Sequence, residues 1–397
     1  MFGLLSGNYK FTSIEINDAS IYIHQNKRGL ANYNVFKPST DTSSTNTKLN
    51  LSIEDAYFNN VSLIYIDEKA EQDLSLLIKS AFFEGNFTDE KYDMNSYANI
   101  ISKHVKIGED TYLKDKELGY NTVINIDNVA QSYQFKDVIV TVEANQFITN
   151  GKVAVVPEGT RMDISFNTEK ARLNSLLKRL PVSFEESLGG FESTAKLKFD
   201  AKINGIYSEK SLPAMDIKFG LKNGRVSHPK MKSDLKGVNF EISFANKGGK
   251  SRKDARFEVQ NFRAKLGGNP VELKLLVEGL DNPDIDFAFN GVVPIKGVYG
   301  MFGERITKGQ GEIRIDELYL KGKLNDMMNP RRITRVKLGG TINFADAGII
   351  LNEVPLKFET GTLQLKDNIL SIKDLLFRTP KNDMRLEVNF QNILPVI

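Results

Sequence analysis

The chain has 397 residues, and 53 Lys and Arg against 50 Asp and Glu leave a formal charge of +3, which excludes the strong basic field that draws in nucleic acid. A hydrophobic fraction of 41% with 26% charged residues is that of a folded, soluble polypeptide and not of a disordered one. Zero cysteines exclude thiolate metal sites, a cysteine nucleophile and a disulfide framework, and with no Trp the 25 Phe supply the aromatic bulk.

No run approaches the roughly 20 apolar residues of a membrane span. Met1-Phe2-Gly3-Leu4-Leu5 is too short for a signal-peptide core and lacks a basic flank. Residues 11–36 hold two strand-like runs, Ile14 with Ile16 and Ile21 with Ile23, on either side of a turn-like Asn17-Asp18-Ala19-Ser20. Pro38 to Lys48 is almost entirely Ser, Thr, Asn and Asp and reads as an exposed loop. Residues 49–66 restate the opening: Leu49, Leu51 and Ile53, then Val61, Leu63 and Tyr65, a loose repeat of run, Asp/Asn turn and run. Strands are expected at 74–84, 97–107, 121–127, 134–142 and 147–156, with the charged segment Gly108–Gly119 as a loop.

One helix is predicted over 168–180. Asn167-Thr168 can cap it, and Leu173, Leu176, Leu177 and Leu180 keep helical spacing before Pro181. From Glu192 the strands resume, with Ala195, Leu197, Phe199, Ala201 and Ile203 alternating with polar neighbours. Ile217, Phe219 and Leu221 fall on one side of an extended chain, followed by a turn signal at Asn223-Gly224. Val238, Phe240, Ile242 and Phe244 repeat the pattern, as do Phe257 with Val259, then Val271 to Val277, then Ile285, Phe287 and Phe289. A short helical turn is expected near Val298–Phe302, and strands continue to Phe390.

Alternation this persistent predicts a mainly β fold: a long, strongly twisted antiparallel sheet coiled so that its apolar side forms a groove, with one or two short helices. Residues 1–48 form N-terminal strands and a polar linker, and 49–397 one continuous β-body.

Sites of chemistry are sparse. His24, His104 and His228 lack metal-ligand spacing. Asp67 beside Glu68 is an acid/base pair in name only, unmarked against the many strand-face carboxylates. The glycine-rich pieces at 297–303 and 309–312 lack the spacing of a phosphate loop and read as turns and bulges. No enzyme activity and no cofactor are expected. The basic cluster Arg331, Arg332, Arg335 and Lys337 has two readings, a solvated loop and strand edge or a contact with anionic headgroups.

The apolar faces also have two readings. They form dry sandwiches with function in polar loops such as 38–48 or 108–119, as in a β-repeat scaffold or adhesin, or they line an open trough completed by ligand. The second is favoured, because few covering helices are predicted and a bare wall of this size would be an aggregation hazard. Its lining would include Leu197, Phe199, Phe219, Leu221, Phe240, Ile242, Phe257, Phe287 and Phe289, with acyl chains along the wall and headgroups at the mouth.

LKNGRVSHPKMKSDLKGVNFEISFAN at 221–246 and VQNFRAKLGGNPVELKLLVEGLDNPDIDFAFNGVVPIKGVYGMFG at 259–303 resemble the AsmA family, in particular its Bacteroidota type. RGLANYNVF at 28–36, the segment 61–87 and TGTLQLKDNILSIKDLLF at 360–377 fit the same pattern. The likeness spans about residues 10–397 and is strongest over 168–303. It implies a β-groove similar to that of bridge-like lipid-transfer proteins and a place in the periplasm of a diderm bacterium. It also implies an anchor in the inner membrane and a part in phospholipid movement that sustains the outer membrane. The implied partners are phospholipid acyl chains and the inner and outer membranes, not nucleic acid. An assembly factor for outer-membrane proteins is an alternative on the same fold. The family's N-terminal membrane helix has no counterpart here and the alternation runs to Ile397, so the chain is expected to be a piece of a longer one.

Overall fold

The computed structural model describes residues 8–33, 50–87, 90–108, 110–172, 190–193, 195–208, 210–249, 251–303, 305–366 and 369–391. Among the described residues the regular structure is mainly β, with strands hydrogen-bonded as an open mixed sheet and two four-residue helices. The residues fall into two compact units: one runs to Ala171 and includes Ala201–Pro213, the other holds Gly190–Asp200 and everything from Ala214 onward.

The first unit contains β1 (Asn8–Asn17), β2 (Ser20–Gln25), β3 (Asn50–Asp67), β4 (Gln72–Glu84), β5 (Lys91–Ile107), β6 (Asp110–Tyr112), β7 (Lys116–Asp127), β8 (Ser132–Val142), β9 (Asn145–Val156) and β10 (Gly159–Arg172). From β3 to β10 each long strand pairs antiparallel with the next. The start of the chain departs from the antiparallel expectation, because β1 and β2 both pair parallel with β3. Asn17 lies opposite Asn59 and Ser20 opposite Ser62, so the loose repeat lies side by side in register with itself. Asn59 Nδ2 donates to Asn17 Oδ1 at 2.9 Å and Asn60 Nδ2 to Asp18 Oδ1 at 2.6 Å, 42 residues apart in each case. Residues 17–20 therefore make no hairpin turn; the chain keeps its direction through them.

Two further expectations are corrected. Asn167 and Thr168 run on as part of β10, with Asn167 opposite Ile148, since the sheet ladder claims the backbone that a helix cap would need. Leu173 to Leu180 of the expected helix lie outside the described residues, as does the polar stretch 38–48. The segment 108–119 is not all loop: β6 pairs with the end of β5, and β7 begins at Lys116.

After β11 (Glu192–Ser193) and β12 (Lys196–Tyr207), the second unit is an antiparallel meander. It runs through β13 (Ala214–Ser227), β14 (Leu235–Asn246), β15 (Arg256–Leu266), β16 (Asn269–Glu278), β17 (Asp284–Pro294), β18 (Ile306–Lys323), β19 (Lys337–Leu351), β20 (Val354–Lys366), β21 (Ile369–Arg378) and β22 (Asp383–Gln391). The expected helical turn is present, as α1 (Ile295–Val298) followed by a 3-10 turn at Tyr299–Phe302. A second helical piece, α2 (Leu324–Met327) with a 3-10 turn at Ile333–Arg335, joins β18 to β19.

Asn223-Gly224 is a bulge and not a turn; β13 continues through it to Ser227. It belongs to a series. Asn60, Asp137, Asn223, Asn261, Glu317, Asp346 and Asp374 sit inside strands with φ between 48° and 53°. At Asp137, Asn223, Asn261, Glu317 and Asp374 the pairing register slips by one residue. An extra residue bends the strand, sharpens its twist and shifts the alternation by one. Side chains on both halves of the strand then point to the same face. Several bulge amides find an acceptor on the next strand: Asp137 N donates to Asn150 Oδ1 at 2.7 Å, Asn223 N to Asn239 Oδ1 at 3.0 Å, and Glu317 N to Asn290 Oδ1 at 2.6 Å. Replacing Asn290 by Ala is expected to cost about 1 kcal/mol in urea denaturation, with Asp at the same position retaining most of the stability because it keeps an acceptor. An Ala variant as stable as the parent would show that the bulge needs no such partner.

Candidate functional site

In an antiparallel pair directly opposed residues share a face, so the registers trace the apolar side of the second unit strand by strand. One row runs Phe219, Ile242, Val259, Leu275, Phe287, Leu320 and Leu338 across β13 to β19. Beside it lie Leu221, Phe240, Phe262, Leu273, Phe289 and Leu318, held in line by a T-shaped Phe219–Phe240 contact at 6.3 Å and a stacked Phe240–Phe262 pair at 6.4 Å. On the other flank run Ile217, Phe244, Phe257, Val277 and Ile285. Seven of the nine expected wall residues fall on these three rows. Leu197 and Phe199 stand on β12; just before it, Ala195 Cβ lies 3.1 Å from the position a Gly224 side chain would take.

The rows are not the interior of a filled core. Phe219, Phe240, Ile242, Phe257, Phe287 and Phe289 are all half-buried. Among the phenylalanines whose side chains are described, only Phe147, in the first unit, is buried, at 9% exposure, although such side chains normally dominate a closed interior. Leu197 and Leu221 differ from the rest of the set: each is 1% exposed, so they pack beneath the face instead of presenting surface.

Among the described residues, helical pieces cover the face at the strand ends. α1 follows β17 and α2 follows β18, and because these strands are antiparallel the two covers stand at opposite ends. Gly309 of β18 lets α1 sit on bare backbone, since a Cβ there would be 2.6 Å from Ile295 Cγ2. At the other end Ile333 and Val336 are buried against Leu320, Met327 and Leu338. Beyond the expected residues the face continues through Ile342, Phe344, Phe358 and Phe377, with ring contacts at 5.2 Å and 5.1 Å. These were legible only as separate runs, because the bulges at Glu317, Asp346 and Asp374 change the phase of the alternation.

The opposite face is charged and internally paired: Lys321 with Asp286 at 2.8 Å, Arg256 with Glu278 at 2.8 Å, Arg263 with Glu272 at 3.2 Å. Hydrogen bonding to Glu258, Asp346 and Asp374 raises the pKa of Arg256, Lys357 and Arg385, respectively, so these groups stay charged as strand-face partners. The histidines are separately engaged, His24 with Glu68 and His104 with Asp73, both at 2.9 Å, while His228 lies against Phe191. Asp67 accepts from the Lys69 and Ala70 amides and Glu68 turns to His24, so the two neighbouring carboxylates are engaged separately. Among the described residues no group of three metal-ligating side chains comes together. What the described residues of the site offer is apolar surface, and His24 and His104 are each paired with one carboxylate.

Comparison with protein-family models, curated proteins and solved structures returns no match in any of the three. The likeness to the AsmA family rests on the sequence pattern alone.

Truncation separates a packed position from a lining one. Leu221→Ala is expected to lower unfolding stability by about 2–5 kcal/mol, and Ile242→Ala, on the half-open row, by clearly less. Equal losses in denaturant titrations would mean that the row is covered.

Proposed function

We propose that the chain is a non-enzymatic holder and conduit for phospholipid acyl chains, which lie along the apolar face of the second unit. The observation that carries this is the continuity of the rows: seven strands of apolar side chains, mostly large and half-buried, which the described residues cover with helical pieces at the strand ends. At about 4.8 Å between strands, a seven-strand row is about 29 Å long, close to twice the roughly 15 Å of hydrocarbon in one leaflet of a bilayer. An acyl chain can lie along it at full length. Each methylene taken out of water contributes about 0.8 kcal/mol, so about ten of them supply a gross 8 kcal/mol without any charged clamp. Headgroup selectivity is then weak, and the width of the face sets what fits.

The resemblance supplies the setting: the periplasm between inner and outer membrane, with lipid movement sustaining the outer membrane. Among the described residues no helix is long and apolar enough to cross a membrane.

Protein purified from cells should release phospholipid on organic extraction. Phe240→Asp or Phe219→Asp should reduce the amount released and the uptake of an environment-sensitive fluorescent fatty acid while leaving the fold intact. A protein that carries no lipid and ignores the probe, or Asp variants that fail to fold, would favour a dry β-scaffold.

A further inference from the structure

At the strand end covered by α2, three connections meet: 247–255, 279–283 and 324–336. They are tied into one rim. Gly279 N donates to Ala255 O at 2.7 Å, Leu280 N to Arg252 O at 3.0 Å, Leu324 N to Pro283 O at 2.8 Å, and Asn325 N to Asn282 Oδ1 at 3.1 Å. Ile333 and Val336 anchor the longest of the three by burying against Leu320 and Leu338. Fixing those two side chains inward leaves others outward. Met328 is 76% exposed, Leu280 46% and Leu324 36%, so three large apolar groups stand out on the same rim.

The charge here also differs from that of the strands. The three connections carry seven Lys and Arg against three Asp. On the polar strand face Lys321, Arg256 and Arg263 each have a carboxylate within 3.2 Å. Arg331 and Arg332 are exposed and make no ion pair among the described residues, and Arg335 reaches Asp326 only at 3.9 Å. An edge with a cationic excess suits an anionic partner, and the protruding Met and Leu side chains exclude one that is purely polar. Basic side chains around short apolar projections match the headgroup layer of a bilayer, where the cations meet lipid phosphates and the apolar tips enter the acyl boundary. Nucleic acid would call for stacking aromatics, and the rim has none.

We propose that this rim docks the protein edge-on to the surface of an anionic bilayer. Docking would serve the lipid-holding role proposed above, but it stands on separate residues and can fail separately. The test is flotation of the full chain with phosphatidylcholine vesicles, with and without phosphatidylglycerol. Binding should require phosphatidylglycerol and weaken as salt is raised. The variant Met328→Asp/Arg331→Glu/Arg332→Glu should lose about tenfold or more in partitioning. It should still take up the fluorescent fatty acid, which shows that it remains folded. Lys222→Glu/Lys274→Glu makes the same kind of charge change on exposed strand positions and should leave flotation unaltered. Equal binding to neutral and anionic vesicles, or a rim variant that floats like the parent, would overturn the assignment. Failure to float with any vesicle would overturn it too, and would point to an acidic protein surface as the occupant. Loss of fatty-acid uptake by the parent with flotation intact would instead count against the lipid-holding role alone.

Discussion

Water is a poor neighbour for a phenylalanine side chain, and the second unit holds many of them where the described residues supply no full second layer. The strands form because period-two alternation separates a charged face from an apolar one. The charged face is satisfied by solvent and cross-strand pairs, so it asks nothing further of the fold. The apolar face is different: ring contacts and the two end covers bury parts of it and leave the middle rows half-open. Hydrocarbon of another molecule is the complement we propose for such a surface.

Bulges are what let one face stay continuous along long strands. A regular strand of 18 residues such as β18 would twist its ends far out of register with its neighbours. The extra residue at Glu317 bends the strand and resets the phase, so that Ile313 and Ile315 before it and Leu318 and Leu320 after it all serve the same face. Asn side chains on adjacent strands take up the bulge amides, which makes the bend a designed feature of the ladder. In the first unit the same device operates, but the inner face there includes Ala81, Ser96, Ala98 and Thr149, small side chains that are buried beneath their neighbours.

The fold class was readable from alternation, as were the strand positions and the seven wall residues that share three rows. What eluded sequence reasoning has specific causes. Asn223-Gly224 carries the residues of a hairpin turn, and only the phase change from Leu221 to Val226 marks it as a bulge. Asn17 to Ser20 misled in the same way, since Asn-Asp also serves a chain that keeps its direction beside its own repeat. Asn167-Thr168 looked like a helix cap because a strand and a capping residue use the same extended backbone. The burial of Leu197 and Leu221 depends on neighbours in space and has no signature in alternation. Nor does the rim: Arg331 and Arg332 were visible as a cluster, but Leu280 and Arg252 join them only through hydrogen bonds between distant connections.

The most direct test of the account is to load the protein with a phospholipid carrying a photoreactive group on its acyl chain, irradiate it, and map the labelled residues by mass spectrometry. Labels should concentrate on Phe240, Ile242, Phe287, Phe289 and their row neighbours, and spare Glu241, Lys274 and the rest of the charged face. Labels scattered over both faces, or none on the rows, would contradict the claim that this surface is completed by lipid.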